Sequence, residues 1–212
     1  TSSIDNKLFF KKKIGVQKVI SMNNFFPKNK IKKIKKRKIK NIFFIGRLIW
    51  DKNPSFFLES LIPLFNKVDF NIHIIGDGPD YVKLIKIGKK YKKKIKFYGF
   101  IKNPFKKFSD KIDIFSINSK FDGTPNVLGE AMSFKIPCIA PQNVGLANIF
   151  LGNGRFGTLY KPDSKLDFQK KIMHIINNYH LYVNKANLAY KSLDRFNLNN
   201  TLAKTEKLIL KI

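Results

Sequence analysis

Residues 112–132 read IDIFSINSKFDGTPNVLGEAM, and how this stretch is parsed decides the fold. From Ile112 to Asn118 it concentrates β-branched and aromatic side chains as a strand does. A short polar loop follows, and then Thr124-Pro125, a capping residue ahead of one that suits a first helical turn. A helix is therefore predicted directly after a strand. The same alternation runs outward in both directions. Strands are predicted at Asn41–Gly46, Phe70–Gly76, Ile95–Gly99, Ile136–Ala140 and Gly157–Tyr160. Helix-length stretches lie between them, at Ser55–Phe65, where Pro63 must end or kink the helix, and at Tyr81–Tyr91. From Asp163 onward the chain reads as helix to its end, with a break around Asn197–Asn200. Strand and helix taking turns define an α/β protein with a doubly wound, mostly parallel sheet.

The first 40 residues differ. They hold one candidate strand, Lys18–Met22, then the turn-like NNFFP and a lysine run from Lys28 to Lys40. That run reads first as a solvated linker. Its functional alternative is an anionic membrane surface, at about 1 kcal/mol per cation near such a surface. A second run, Lys86 to Lys96, has the same two readings.

Composition narrows the classes further. The 212 residues carry 42 Lys+Arg against 14 Asp+Glu, a net charge of +28. That excess first suggests nucleic acid, yet only Arg37, Arg47, Arg155 and Arg195 are arginines and the other 38 cations are lysines. Arginine is the side chain that reads phosphates and base edges bidentately, so nucleic acid is set aside as a partner. Lys, Ile, Asn and Phe abound while alanine occurs six times, the signature of A/T-rich codons. Hydrophobic residues at 43% are enough for a sizeable core and exclude wholesale disorder. Cys138 is the single cysteine, so no intrachain disulfide can form, and with His73, His174 and His180 it makes no plausible zinc set. This usage points to a reducing compartment. No apolar run approaches the roughly 20 residues that span a bilayer, and TSSIDNK lacks the order of a signal peptide. A start without Met suggests a piece of something longer.

Three loops follow predicted strands, and in an open parallel sheet such loops converge on one crevice. The first, Gly46 to Asn53, carries Arg47 and Lys52 ahead of a helix near Pro54. A planar fork and a point charge beside a helix start suit a diphosphate, although two surface cations are the plainer reading of this loop by itself. The second, Gly76-Asp77-Gly78-Pro79, permits a tight turn, but Tyr81 stands where a dinucleotide fingerprint needs glycine. As a turn opening a helix at Pro79 it requires no ligand. The third holds Asp122, Gly123 and the helix start at Thr124-Pro125. Free N–H groups there, those of Asn126 and Val127 among them, can meet anionic or hydroxyl oxygens. Asp122 and Glu130 could accept hydrogen bonds from two sets of ligand hydroxyls, or be a capping acid and a surface glutamate. Spacing does not choose between these.

The series GRL-x3-KN, GDGP, FYGF, S-x-FDGTPNVLGEAM and IPCIAP, in this order, resembles the donor-binding C-terminal domain of family 4 (group 1) retaining glycosyltransferases. The resemblance spans about residues 17 to 212. It implies a Rossmann-like C-terminal half of a glycosyltransferase B-type fold. On that pattern residues 1–40 are a remnant of the interdomain linker and a basic segment, 41–195 the nucleotide-sugar-binding domain and 196–212 a C-terminal helix. It implies a nucleotide diphosphate sugar, a UDP-sugar type, as donor, with no metal or other cofactor, and a glycan or lipid-linked acceptor. Catalytic roles fall to Arg47 and Lys52 at the diphosphate, Asp122 at the sugar hydroxyls and Glu130 at the ribose. Gly46, Gly76, Gly123 and the backbone from Pro125 through Asn126 to Val127 would line the donor, and Phe100 and Ile101 would meet the base.

Polysaccharide or lipopolysaccharide assembly is the implied setting, with the chain cytoplasmic or peripheral on the inner face of the membrane. The chain departs from the family pattern in four ways. Asp122 replaces a glutamate, Lys135 stands where glycine usually follows the helix, and Val144–Asn148 lacks a second glycine and a glutamate. Almost none of the N-terminal acceptor domain is present, so it must be supplied in cis or in trans. The alternative is a non-catalytic fragment or subunit that needs a separate acceptor domain.

Overall fold

The computed structural model describes residues 26–29 and 39–196. Six strands, β1 (Asn41–Ile45), β2 (Asn71–Ile75), β3 (Ile95–Phe97), β4 (Ile114–Ser116), β5 (Cys138–Pro141) and β6 (Thr158–Tyr160), form one sheet. Their order is β3-β2-β1-β4-β5-β6, and every neighbouring pair is parallel. All six predicted strands are present, each within its predicted run except that β5 extends to Pro141. Proline is tolerated there because it sits at a strand end, where its missing N–H costs no ladder bond. The candidate strand at Lys18–Met22 lies outside the described residues. So do the lysines from 30 to 38 and the segment beyond Phe196.

The strands are near-continuous apolar runs because both faces are covered. Phe43, Ile45, Phe115 and Cys138 face one core with Phe105, Leu128, Met132 and Phe150. Ile42, Phe44, Ile72 and Ile114 face the other with Phe57, Leu61, Phe168 and Ile172. Fully burying one such side chain contributes about 1.5–3 kcal/mol. The exposed ion pairs Lys94–Asp69 and Lys165–Glu59 contribute about 0–1 kcal/mol each. The sheet core, rather than the surface charge, therefore holds the fold.

Helices α1 (Pro54–Leu61), α2 (Tyr81–Gly88) and α6 (Lys165–Asn177) cover the second core. Helices α3 (Pro104–Phe108), α4 (Asn126–Ser133) and α5 (Ala147–Phe150) cover the first, joined by the end of α7 (Tyr179–Ser192). Pro54 opens α1 at its first position, and Pro63 turns the segment after Leu61 into a 3-10 turn, Ile62–Asn66. Helix α2 begins at Tyr81 rather than Pro79, because Pro79 is used in the turn closed by the Tyr81 N–H to the Gly78 carbonyl at 3.0 Å. The break expected around Asn197–Asn200 lies outside the described residues, and the C-terminal helical region has an additional break at Asn178. The Asn178 side chain there donates back to the His174 carbonyl at 3.1 Å.

Before α4, Phe26 packs edge-on against Phe150 and Phe196, and the Asn29 N–H donates to the Ser133 carbonyl at 3.3 Å. Residues 26–29 thus lie along the helix that carries Glu130. Just past the C-terminal end of α4, Lys135 takes φ 54°. The Ile136 N–H reaches the Ala131 carbonyl at 3.2 Å and the Lys135 N–H the Met132 carbonyl at 3.0 Å, the Schellman pattern that usually employs glycine. The lysine is partly compensated by its ammonium over the Tyr190 ring at 4.7 Å. A left-handed side chain costs roughly 1–2 kcal/mol and an exposed cation–π contact returns about 0.5–1 kcal/mol. Lys135→Gly is expected to stabilise the fold by roughly 0.5 kcal/mol in denaturant titration.

His73 on β2 is buried and stacks flat on Phe43 at 4.3 Å. Its Nε2 donates to Asn41 Oδ1 at 2.9 Å, and its Nδ1 accepts from the Tyr98 hydroxyl at 2.8 Å, which requires a neutral ring. Burial first, then the positive charges of Lys96 and Lys111, lower its pKa from 6.5 to about 4. Between those values the unfolded chain binds a proton that the folded chain refuses, so stability falls as pH falls. The loss from this group is on the order of 3 kcal/mol. Denaturant midpoints followed from pH 7 to pH 4 should show that slope in the parent chain and a flatter one in His73→Gln.

Candidate functional site

Strand β1 is hydrogen-bonded to both β2 and β4, and the chain leaves it toward β2 on one side but reaches β4 only after crossing back. Connections on the two sides therefore diverge beyond the carboxyl ends of β1 and β4, which leaves a gap that no helix covers among the described residues. A cavity of about 210 Å³ opens there, lined by Phe44, Ile45 and Gly46 from β1 and by Ile117, Asn118 and Ser119 after β4. Lys52 and Asp122 close it, with Thr124, Pro125, Asn126 and Val127 at the head of α4.

Lys52 and Asp122, 70 residues apart, meet inside it: Nζ lies 2.8 Å from Oδ2, with the side chains 22% and 13% exposed. The Ser119 hydroxyl donates to the same oxygen at 3.3 Å. Lys52 ends a 3-10 turn, Trp50–Lys52, which Asn53 terminates in a left-handed conformation. The Lys120 N–H donates to the Asp51 carbonyl at 2.8 Å, which fastens the β1 loop to the β4 loop. An ammonium held in a partly desolvated cavity presents its remaining N–H donors to an incoming anion.

The head of α4 departs from the sequence expectation. Thr124 is not the capping residue: Pro125 occupies that position at φ −75°, ψ 78°, an inverse γ-turn, and the Asn126 N–H is spent on the Thr124 carbonyl at 2.8 Å. The Leu128 N–H goes to the Pro125 carbonyl at 2.9 Å. The Val127 N–H has no backbone acceptor among the described residues and lies at the positive end of the helix.

The remaining predicted residues are spread around this centre. Arg47 stands exposed on the β1 loop, outside the cavity lining, and Gly123 is exposed on the β4 loop. Glu130, in the second turn of α4, also lies outside the lining, and partial desolvation raises its carboxyl above the ordinary glutamate value. Phe100 projects into solvent, whereas Ile101 is half-buried against the first core. Gly76 has a role that needs no ligand. At φ 142° its Cα sits on the Gly46 carbonyl, where a Cβ would fall 1.8 Å from the oxygen. It lets the β1 and β2 loops run in contact, joined by the Leu48 N–H to the Asp77 carbonyl at 2.8 Å.

Asn118 and Ser119 were not among the predicted site residues. A polar pair at the end of an apolar strand was the available signal. Asn118 is fixed by accepting from Ser116 at 2.9 Å and donating to the Tyr160 hydroxyl at 2.9 Å. The Asp122 loop is braced from behind by Gly145 at φ 52°, where a Cβ would lie 2.0 Å from the Asp122 carbonyl oxygen. Gly145→Ala must displace that loop, and the expected loss is about 2 kcal/mol or more in denaturant stability. A side-chain NMR probe of Lys52 should report its separation from Asp122. Among the described residues, no group of three or more His, Cys, Asp or Glu could hold a metal ion, and no helix is long and apolar enough to cross a membrane.

A parallel sheet in this order, with its cavity at the reversal of strand order, is a Rossmann-like arrangement, and the solved structures it is similar to make it one half of a glycosyltransferase B-type fold. The chain belongs to the group 1 glycosyl transferases, whose family model matches residues 39–178. It is 30% identical over 114 residues to the lipopolysaccharide 1,6-galactosyltransferase of Salmonella typhimurium, covering 51% of this chain and 32% of that protein. Over 173 residues it is 25% identical to the Campylobacter jejuni GalNAc-alpha-(1->4)-GalNAc-alpha-(1->3)-diNAcBac-PP-undecaprenol alpha-1,4-N-acetyl-D-galactosaminyltransferase, covering 81% of this chain and 48% of that one. The chain thus spans about half the length of these curated relatives or less. In fold it is similar to a mutant of S. aureus TarM in complex with fondaparinux, alpha-GlcNAc-glycerol and UDP, with a TM-score of 0.83 and 21% identity, covering 97% of this chain and 42% of that one.

Proposed function

We propose that the cavity between β1 and β4 receives the diphosphate of a nucleotide-sugar donor, and that the chain is the donor-binding half of a retaining glycosyltransferase. The observation that carries this reading is the Lys52–Asp122 pair inside the cavity, 2.8 Å apart, beside the head of α4. As the bond from the anomeric carbon to the diphosphate breaks, its electron pair passes to the leaving phosphate oxygen. In this reading Lys52 and the helix end take up that growing charge, the preorganised electrostatic contribution that often dominates catalysis. Arg47, exposed on the same loop, folds over the diphosphate once it is bound. Asp122 accepts from the sugar hydroxyls and Glu130 from the ribose, while the backbone at Phe100 and Ile101 meets the base. No metal ion is needed in this scheme.

UDP is the nucleotide supported by the complex of the structurally similar TarM. Relatives named for lipopolysaccharide and for an undecaprenol-linked glycan support a glycan or lipid-linked acceptor. The acceptor domain comes from elsewhere in the protein or from a partner chain, so this chain by itself binds donor and transfers little. A lipid-linked acceptor would keep it at the inner face of the membrane, with the exposed lysines between Lys86 and Lys96 available to anionic headgroups.

Calorimetric titration of the 212-residue chain with UDP, UDP-galactose and UDP-N-acetylgalactosamine tests the reading. Binding is expected, and Lys52→Ala should weaken it about ten- to a hundredfold, the worth of one charge-assisted hydrogen bond. Absence of binding to all three, or affinity unchanged in Lys52→Ala, would overturn it.

A further inference from the structure

Two aromatic side chains on the cavity's own loops touch one another in solvent. Trp50 is 63% and Phe121 67% exposed, with ring centroids 5.9 Å apart and planes tilted by 35°. Trp50 stands two residues before Lys52, and Phe121 directly precedes Asp122. The inner members of these two loops form the ion pair inside the cavity. The outer members form an apolar plate, and neither ring lines the cavity. The loops are tied next to the plate by the Lys52–Asp122 pair and by the Lys120 N–H to the Asp51 carbonyl, so the rings rest on a fixed frame. The Lys120 ammonium lies 4.7 Å over the Trp50 ring.

Such a plate does little for the isolated fold, because most of both rings remains in water. Adjoining exposed apolar surface beside a polar cavity is the mark of a ligand surface. We propose that Trp50 and Phe121 form a saccharide-stacking subsite that receives a pyranose ring of the acceptor. A pyranose presents a face of C–H groups that suits an aromatic plane and a rim of hydroxyls that can accept from the Lys120 ammonium. Its place outside the cavity separates it from the charged donor below, which leaves the two substrates side by side across the Lys52–Asp122 pair. The assignment of this saccharide as acceptor rests on the donor-binding reading above; the stacking itself does not.

Trp50 is the single tryptophan of the chain, so its emission reports directly on the plate. The 212-residue chain is titrated with methyl α-galactoside, N-acetylgalactosamine and lactose while Trp50 fluorescence is followed, with UDP affinity measured in parallel by calorimetry. A saturable emission change is expected with at least one saccharide. Phe121→Ala should weaken that binding about fivefold, a typical loss for an aromatic contact, and Phe121→Tyr should restore it. UDP affinity should stay within about twofold in both variants, since neither ring lines the cavity.

No saturable change with any of the three saccharides overturns the subsite whether or not UDP binds. Equal saccharide affinity in Phe121→Ala overturns it as well, as does an emission change seen only on adding a separately produced acceptor half, which would make the plate a domain contact. Failure of UDP to bind while the saccharide response persists counts against the donor reading and leaves the subsite standing.

Discussion

The pairing of β1 with both β2 and β4 is the constraint on which the rest of the molecule depends. A strand buried on both faces and hydrogen-bonded on both edges can satisfy its backbone in no other way. Because its two neighbours are reached by connections that run off in opposite directions, the end of β1 is left uncovered among the described residues. The cavity is a consequence of that topology rather than of any one residue. Phe44 and Ile45 illustrate this: they belong to the two cores, yet they also form the floor against which a ligand would rest.

The loops over that floor are shaped by close backbone approach. Gly76 rests on the carbonyl of Gly46 and Gly145 on that of Asp122, so two of the three strand-end loops have a glycine seat beneath them. With the loops so fixed, Lys52 and Asp122 arrive within hydrogen-bonding distance without help from a ligand. The shorter reach of Asp122 compared with a glutamate fits this arrangement, since its carboxylate is already engaged by Lys52 and Ser119.

Biased composition leaves its mark on the fold without controlling it. Left-handed positions that glycine would ordinarily fill are taken by Asn53, Asn103, Asn143, Asn153 and Asp163, and in one further case by Lys135. Asparagine enters this region at modest cost, so a chain poor in glycine codons can still make its turns. The lysines likewise decorate the helices, and of the large positive excess only Lys52 enters the cavity among the described residues.

The alternation of apolar runs and helical stretches, read residue by residue, was sufficient for the six strands, the two-faced core and the parallel sheet. These depend on local periodicity and on Gly and Pro placement, which sequence displays. The loops that carry Lys52 and Asp122 were legible for the same reason, because ligand loops follow strand ends. Sequence could not say that Lys52 meets Asp122, that Arg47 and Glu130 stand outside the cavity lining, or that the Asn126 N–H is consumed by an inverse γ-turn at Pro125. Nor could it distinguish Trp50 and Phe121 from core aromatics, since nothing local marks a ring as exposed. Those facts depend on which strands become neighbours and on the direction each loop takes from its glycine seat. The pair that matters most, Lys52 and Asp122, stands 70 positions apart, and only the folded chain brings it together.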